Sequence, residues 1–172
     1  MKVTVWHLEM TSPDRLRPPS RPVAGLEVRE VVPPEPALNR RLYRDVGERF
    51  HWVDRLPWTE EQWRGWATHP DVHTFVAMVE GREAGYSELH VEGDGNVEIA
   101  FFGLLPGFIG RGIGSAFLHE MVGRAWALGA RRVWLHTCSL DHPSALPGYL
   151  ARGFTRFKTV KTDAPPPGLR DH

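Results

Sequence analysis

This sequence has only one cysteine, no excess of charge of either sign and no long apolar run. Its single cysteine, Cys138, cannot form a disulfide within the chain, and no basic segment followed by an apolar run opens the sequence. The 21 lysines and arginines balance 21 aspartates and glutamates, so no net field holds nucleic acid or an anionic membrane. No stretch approaches the roughly 20 apolar residues that span a bilayer. These absences predict a soluble, cytoplasmic protein whose partner is a small molecule or a peptide.

Enough apolar sequence is present for one hydrophobic core. Hydrophobic residues make up 41% of the 172 residues, which favours a single domain over 1–172. Alternation over 3–10 predicts a first strand, and a surface loop rich in proline and arginine follows over 12–22. We interpret 1–25 as an extra N-terminal strand and loop, and 162–172 as a flexible tail.

The next part of the chain changes from strand to helix and back. A strand is predicted over 26–32, followed by helical spacing over 37–50. Thr59 and Gln62 have the spacing of a capping box, which predicts the start of a second helix. An antiparallel meander comes next, with strands over 74–80, 84–92 and 95–104 joined by glycine-containing turns. The remaining predicted elements are a helix over 112–128 with Gly129 as its C-cap, a strand over 132–137, a helix over 144–152 and a strand over 154–160.

A glycine-rich loop joins the end of the meander to the long helix. Gly110, Gly112 and Gly114 let the backbone turn tightly and approach a ligand, while the free amides at the helix start favour a phosphate. The spacing fits neither a Walker A loop nor the dinucleotide fingerprint, because no Lys-Ser or Lys-Thr follows and the third glycine comes one residue early. The alternative is that these glycines only shape a turn.

Two blocks together resemble the GNAT (GCN-type N-acetyltransferase) superfamily. The first is Ile109-Gly110-Arg111-Gly112-Ile113-Gly114, which is similar to the family pattern Arg/Gln-x-x-Gly-x-Gly/Ala with isoleucine at the first position. The second, residues 141–154, is similar to the C-terminal family pattern, with Tyr149, Gly153 and Phe154 in register. The order of elements also agrees from about residue 26 to residue 160. The resemblance implies an α/β (α+β) fold with a central twisted sheet, mixed and mostly antiparallel, and helices on both faces.

The resemblance also implies acetyl-coenzyme A as co-substrate. Main-chain groups of Leu104 and Leu105 would contact its pantetheine arm, where two strands splay apart. Asp141 and His142 would position coenzyme A, or would cap the helix that begins near Ser144. The pyrophosphate would lie on the loop formed by Gly110, Arg111, Gly112, Ile113, Gly114 and Ser115. None of the nine histidines has the paired spacing of a zinc site, so no metal is predicted.

Tyr149 and Glu98 are the predicted catalytic residues. In the family, the tyrosine that matches Tyr149 protonates the departing thiolate; the alternative for such an aromatic side chain is simple packing. Glu98 resembles the glutamates that take a proton from the amine, and alternation puts it on one sheet face with Ala100 and Phe102. Its alternative is an exposed strand carboxylate or one satisfied by a neighbouring group.

The acceptor pocket of this fold is covered by the segment before the meander. That segment is dense in aromatics and arginines, and Arg44 and Asp54 are the predicted contacts of the acceptor. The predicted reaction is acetyl transfer to a primary amine of a small molecule, amino acid or peptide. The alternative is an acyl-coenzyme A sensor or interaction module without turnover. A homodimer would cover exposed strand edges of the sheet.

Overall fold

A computed structural model of the protein describes residues 2–163. Its strands are β1 (Val3–Met10), β2 (Leu26–Glu30), β3 (Val72–Val79), β4 (Arg82–Val91), β5 (Asn96–Leu104), β6 (Arg132–Cys138) and β7 (Thr155–Thr162). Its helices are α1 (Pro36–Gly47), α2 (Glu60–Ala67), α3 (Ile113–Ala127) and α4 (Ala145–Ala151). Every predicted element is present, with ends that move by one to three residues. The tail predicted over 162–172 is wrong for Thr162, which is the last residue of β7, and its part beyond residue 163 lies outside the described residues.

Local chemistry accounts for several of these boundaries. Thr59 and Gln62 form the predicted capping box at the start of α2, and Gly129 takes a left-handed backbone, φ 91°, just past the end of α3. The helix predicted over 37–50 ends early, at Gly47. A Cβ on Gly47 would lie 2.4 Å from Cβ of Trp52, so the chain can fold back over this position only because it is glycine. A short 3-10 turn, Glu48–Phe50, completes the segment.

All seven strands form one sheet in the order β2-β3-β4-β5-β6-β1-β7. Every neighbouring pair is antiparallel except β5 and β6, which run parallel and are connected through α3. Helices α3 and α4 cover one face, and α1 and α2 cover the other. The predicted fold class, a mixed and mostly antiparallel sheet with helices on both faces, is confirmed. Strands β2 and β7 are the sheet's edges, and the homodimer that would cover them stays a prediction.

The first strand occupies an interior position in the sheet. Although β1 comes from the predicted N-terminal extension, it pairs with β6 on one side and β7 on the other. Val3 and Leu8 are fully buried, and Val5 and Met10 are nearly so. The segment therefore contributes directly to the core.

A bulge in β5 corrects one expectation about its faces. Glu88 of β4 pairs with Phe101 and Leu89 pairs with Ile99, which leaves Ala100 as an extra residue on β5. Because the extra residue reverses the alternation, Phe102 lies on the α3 face, 4.9 Å from the ring of Phe117. The prediction that Glu98, Ala100 and Phe102 share a face is therefore wrong for Phe102. Glu98 itself lies on the α1–α2 face, beside His90.

Within residues 2–163, the longest helix is α3, and no helix has the length and apolarity that crossing a bilayer would require. The cytoplasmic location stays a prediction.

Candidate active site

A cleft of about 420 Å³ opens where β5 and β6 separate. The two strands pair only from Asn96–Arg132 to Glu98–Trp134 and diverge beyond that point. Helices α3 and α4 contribute to the walls from one face of the sheet, and the segment between α1 and α2 contributes from the other, so the cleft reaches both faces. We call Gly110, Gly112, Gly114 and Ser115 the glycine wall, and Phe50, Trp52 and His136 the aromatic wall.

The glycine wall is built from backbone. Gly110 and Gly112 have φ of 83° and 78°, in the left-handed region that favours glycine, and nothing lies within 4 Å of a Cβ built on either. Gly112 is the N-cap of α3, and because it has no side chain it cannot cap the helix by a side-chain hydrogen bond. The first amides of a 15-residue helix therefore face the cleft together with the positive end of its dipole. This is the geometry of an anion site for a phosphate or pyrophosphate.

Most of the predicted cofactor residues line this cleft, and three do not. The lining residues from that prediction are Leu104, Gly110, Gly112, Gly114, Ser115, Asp141 and His142. Leu105 donates its amide to the carbonyl of Ala84, so that donor is already used within the fold. Arg111 is exposed with its guanidinium carbon 5.3 Å from the ring of Phe108, and Ile113 is buried beneath the loop.

Asp141 and His142 hold the loop between β6 and α4. The Asp141 carboxylate accepts hydrogen bonds from the hydroxyl of Thr137 and, at 3.0 Å, from the amide of Cys138. It therefore ties the loop back to the end of β6 instead of capping α4. His142 does act at the helix start, because its Nδ1 accepts from the amide of Ser144 at 3.0 Å. Its ring also lies 6.1 Å from that of Phe50, which connects the loop to the aromatic wall.

Tyr149 of α4 lines the cleft and is 8% exposed. Burial raises the pKa of its hydroxyl far above the ordinary value, and the negative charge of Asp141 raises it further. The phenol is thus held in its protonated form at all physiological pH values. It also packs at ring distances of 6.3 Å from Phe102 and 6.2 Å from Phe154, so it has the packing role as well.

Glu98 lies beside the cleft instead of lining it. Its side chain is almost fully buried, whereas His136 of β6 lines the open space. Glu98 Oε1 is 4.0 Å from His136 Nε2. Sequence reasoning did not select His136. The signal that could have found it is its position two residues after Trp134, on the strand that runs parallel to the one carrying Glu98.

The two predicted acceptor contacts lie away from the cleft walls. Arg44 is on the exposed side of α1, 3.8 Å from Asp45, and Asp54 is in the half-buried connection before α2. Phe50 and Trp52 of the same segment line the cleft instead. Trp52 packs 4.9 Å from Phe101 and contributes to the core at the same time, so packing and lining are two roles of one side chain.

A buried polar cluster lies next to the aromatic wall, because the ring of Phe101 contacts both Arg55 of the cluster and Trp52 of the wall. Glu88, fully buried, accepts hydrogen bonds from Arg55 Nη1 at 2.8 Å, Trp66 Nε1 at 2.8 Å and Asn39 Nδ2 at 3.0 Å, and from the hydroxyl of Tyr86. The Arg55 guanidinium is enclosed by rings, with its central carbon 4.3 to 5.7 Å from four aromatic centroids. These four rings belong to Trp58, Trp63, Trp66 and Phe101. The cluster connects α1 and α2 to the sheet.

One group of side chains bears on the prediction that no metal is bound. His90, Glu92 and Glu98 place ligand atoms within 4.8 Å of one another. Glu92 Oε1 accepts a hydrogen bond from Trp134 Nε1 at 2.6 Å, so this oxygen already has a protein partner. The absence of a metal stays a prediction.

The geometry agrees with solved structures of related folds. A GCN5-related N-acetyltransferase from Sphaerobacter thermophilus superposes with a TM-score of 0.66 and 25% identity, over 91% of this chain and 49% of that one. A GCN5-related N-acetyltransferase from Kribbella flavida gives 0.65 and 20%, over 99% and 61%. An aminoglycoside acetyltransferase from a soil metagenomic sample, in complex with sisomicin, gives 0.59 and 15%, over 74% and 86%.

Sequence comparison gives the same family. An uncharacterized N-acetyltransferase of Mycobacterium tuberculosis is 38% identical over 68 residues, which are 40% of this chain and 44% of that protein. A Mycobacterium bovis protein described in the same words matches equally well. The match therefore spans less than half the length of these curated relatives. The sequence profile of the Acetyltransferase (GNAT) family matches residues 39–154, most of the chain. The chain belongs to the Acetyltransferase (GNAT) family, as the glycine loop and the Tyr149 block predict.

Proposed function

We propose that this protein transfers an acetyl group from acetyl-coenzyme A directly to a primary amine of a small molecule, an amino acid or a peptide. The observation that carries the proposal is that the glycine wall and Tyr149 line one cleft, which opens between separating strands. An anion site, an apolar channel and a protonated hydroxyl are the three features that such a donor needs.

The residues around the cleft fit coenzyme A. The pyrophosphate would accept hydrogen bonds from the amides that follow Gly112, where no side chain competes for them. The pantetheine arm would lie between the diverging strands, alongside Leu104. Bound there, acetyl-coenzyme A supplies the activated acyl group, and the protein positions it.

Tyr149 would assist departure of the thiol. Because its pKa is raised, the hydroxyl is a weak acid that remains protonated until negative charge develops on the sulfur. It would donate a hydrogen bond to that sulfur and pass its proton on as the carbon–sulfur bond breaks. The proton lost by the attacking nitrogen would restore the phenol, so the residue ends the cycle unchanged.

The acceptor would enter from the side of the aromatic wall. Phe50 and Trp52 offer ring faces that suit an ammonium group or an apolar substituent beside the amine. Arg44 and Asp54 remain the proposed polar contacts of the acceptor, although neither lines the cleft. Because a fold neighbour is an aminoglycoside acetyltransferase, the first panel of acceptors should contain aminoglycosides beside amino acids and peptides.

Thermal unfolding with acetyl-coenzyme A, combined with a thiol-release assay over that panel, tests the proposal. A ligand at 100 times its Kd stabilises the fold by about 2.7 kcal/mol, which raises the Tm by roughly 5 to 10 °C for a chain of this size. Thiol release should depend on the acceptor. Stabilisation without thiol release from any amine would identify a sensor module, and no stabilisation would mean that the glycine wall binds no coenzyme A.

Tyr149→Phe is the informative variant, since it removes only the hydroxyl. It should keep the stabilisation by acetyl-coenzyme A and lose about 100-fold or more in kcat. Tyr43→Phe is the matched control, because it removes a buried hydroxyl that accepts from the Arg55 amide at 3.0 Å and does not line the cleft. That control should lose about 1 kcal/mol of stability and retain turnover.

A further inference from the structure

His136 occupies the part of the aromatic wall that is nearest to a buried carboxylate. Its ring lines the cleft, and its side chain is nevertheless only 7% exposed. Its Nε2 atom is buried and lies 4.0 Å from Oε1 of Glu98, whose side chain is 3% exposed. An imidazole between an open cleft and a buried carboxylate has the arrangement of a general base with an orienting partner.

The sheet itself produces this arrangement. Glu98 and Trp134 are the last paired residues of β5 and β6, and His136 follows Trp134 on the same face where the strands have begun to separate. The imidazole therefore reaches the space that the separation creates. Its ring is enclosed by Trp134 at 6.2 Å and by His7 of β1 at 5.6 Å. These neighbours pack against the imidazole.

The charged and titratable groups around His136 come from four elements. Glu98 faces it from β5, His7 faces it from β1, and His142 lines the same cleft from the loop before α4. Lys158 of β7 is the strand partner of His7. Burial and the charge of this lysine lower the pKa of His7. His7 is thus held neutral near pH 7, and Glu98 is the carboxylate that faces the imidazole of His136.

We infer that His136 is the residue that takes the proton from the acceptor ammonium, and that Glu98 positions the imidazole and stabilises its charged form. The inference rests on the proposed function and assigns the proton acceptor of that reaction. It also changes the expected role of Glu98, because the carboxylate would act through His136 and not on the amine.

Acetyl transfer would begin with removal of a proton from the acceptor. The lone pair of the neutral imidazole accepts one proton from the alkylammonium, which leaves a neutral amine and an imidazolium. The amine nitrogen then forms a bond to the thioester carbonyl carbon, and the carbon–sulfur bond breaks. The sulfur takes the proton from Tyr149, the phenol regains one from the new amide nitrogen, and the imidazolium releases its proton to solvent. One ammonium and one thioester yield one amide, one thiol and one proton.

His136→Ala is the decisive variant, assayed in the full chain with the best acceptor found for the wild type. We expect kcat at pH 7 to fall by about 100-fold or more, with unchanged thermal stabilisation by acetyl-coenzyme A. Added imidazole should restore part of the rate, because it can occupy the space that the ring leaves. The deficit should also narrow as the pH approaches about 10.4, where a free alkylamine loses its proton to solvent. His119→Gln on α3, outside the cleft, should match the wild type.

Glu98→Gln tests the positioning role. We expect a loss of about tenfold in kcat with little change in KM, and the acid limb of the pH profile should move to lower pH, since a neutral amide no longer favours the imidazolium. A purely structural role would lower stability without moving that limb. Full turnover by His136→Ala, or a loss of kcat that neither imidazole nor high pH relieves, would overturn the inference. Neither result would contradict the proposed acetyltransferase function. If the wild-type protein transfers acetyl groups to no amine, both the proposed function and the role of His136 are wrong.

Discussion

The two walls of the cleft differ in which part of the chain forms them. The glycine wall consists of backbone amides arranged by left-handed glycines, whereas the aromatic wall consists of side chains held by a buried ionic cluster. Backbone amides are present whatever the neighbouring side chains are, so isoleucine at position 109 leaves the anion site intact. The aromatic wall depends on contacts between distant parts of the chain. Substitutions behind it should therefore cost stability, while substitutions in the glycine wall should mainly cost ligand affinity.

The largest expected effect lies behind the aromatic wall, at Glu88. Glu88→Ala removes the fully buried carboxylate that lies 2.8 Å from Arg55 Nη1, which should lower the free energy of unfolding by about 3 to 5 kcal/mol in urea denaturation. The control is Glu83→Ala, which breaks a two-point pair with Arg41 that is partly exposed and should cost at most about 1 kcal/mol. Equal losses in the two variants would contradict a stabilising role for the cluster.

A smaller loss is expected at Gly103, where β5 meets α1. A Cβ there would lie 2.5 Å from Cγ1 of Val46, so Gly103→Ala forces the helix away from the sheet and should cost about 1 to 3 kcal/mol. Gly107→Ala, with nothing within 4 Å, is the control and should change stability little. Adding Val46→Ala makes room for the new methyl group. The double variant should then lose less than the sum of the single losses, and strict additivity would argue against this contact.

The glycine wall is tested at Gly112. Gly112→Ala puts a side chain on a residue with φ 78°, a strain of about 1 to 2 kcal/mol that the loop can relieve by moving its amides. We expect the Kd for acetyl-coenzyme A, measured by calorimetry, to rise about tenfold, which corresponds to about 1.4 kcal/mol. Gly123→Ala, in the middle of the same helix and in open space, should raise stability by about 0.5 to 1 kcal/mol and leave the Kd unchanged. A similar Kd for both variants would remove the distinction between the two walls.

The smallest effect concerns pH and His7, which neighbours the aromatic wall. Its folded-state pKa lies below the ordinary value because of burial and Lys158, so the unfolded chain binds more protons as the pH falls through 6.5. The stability contributed by neutral His7 is complete above that pH and declines below it. The difference in unfolding free energy between wild type and His7→Asn should therefore shrink from pH 7.5 to pH 5. Lys158→Met should weaken this trend, and a difference that grows in acid would contradict it.

The sequence predicts the order of elements and the glycine wall well, because both depend on local signals. The capping box at Thr59, the left-handed glycine at 129 and the glycine spacing of the loop act within one or two turns of chain. The family resemblance then adds the pairing of the loop with Tyr149. None of these features requires knowledge of which strands become neighbours.

The aromatic wall could not be predicted in the same way. His136 and Glu98 are 38 residues apart, and they meet only because β5 and β6 run parallel and then diverge. The bulge at Ala100 reverses the faces of β5, and the apolar run Ile99-Ala100-Phe101-Phe102 carries no polar residue that would mark the change. Arg44 and Asp54 were selected for charge, yet the walls of the cleft nearby are aromatic. Long-range pairing decides these positions, and a single sequence does not show it.

The interior position of β1 determines when the sheet can be completed. Val5 pairs with Cys138 and Val3 pairs with Thr162, so β1 binds partners that are made more than 130 residues later. Closing loops of this length is slow compared with forming the meander, whose strands are neighbours in sequence. During synthesis β1 must wait as an unpaired strand while β3, β4 and β5 associate. Of the seven described strands, β1 is thus made first and is covered only after β6 and β7 have been made, so a nascent-chain chaperone would have most to protect there.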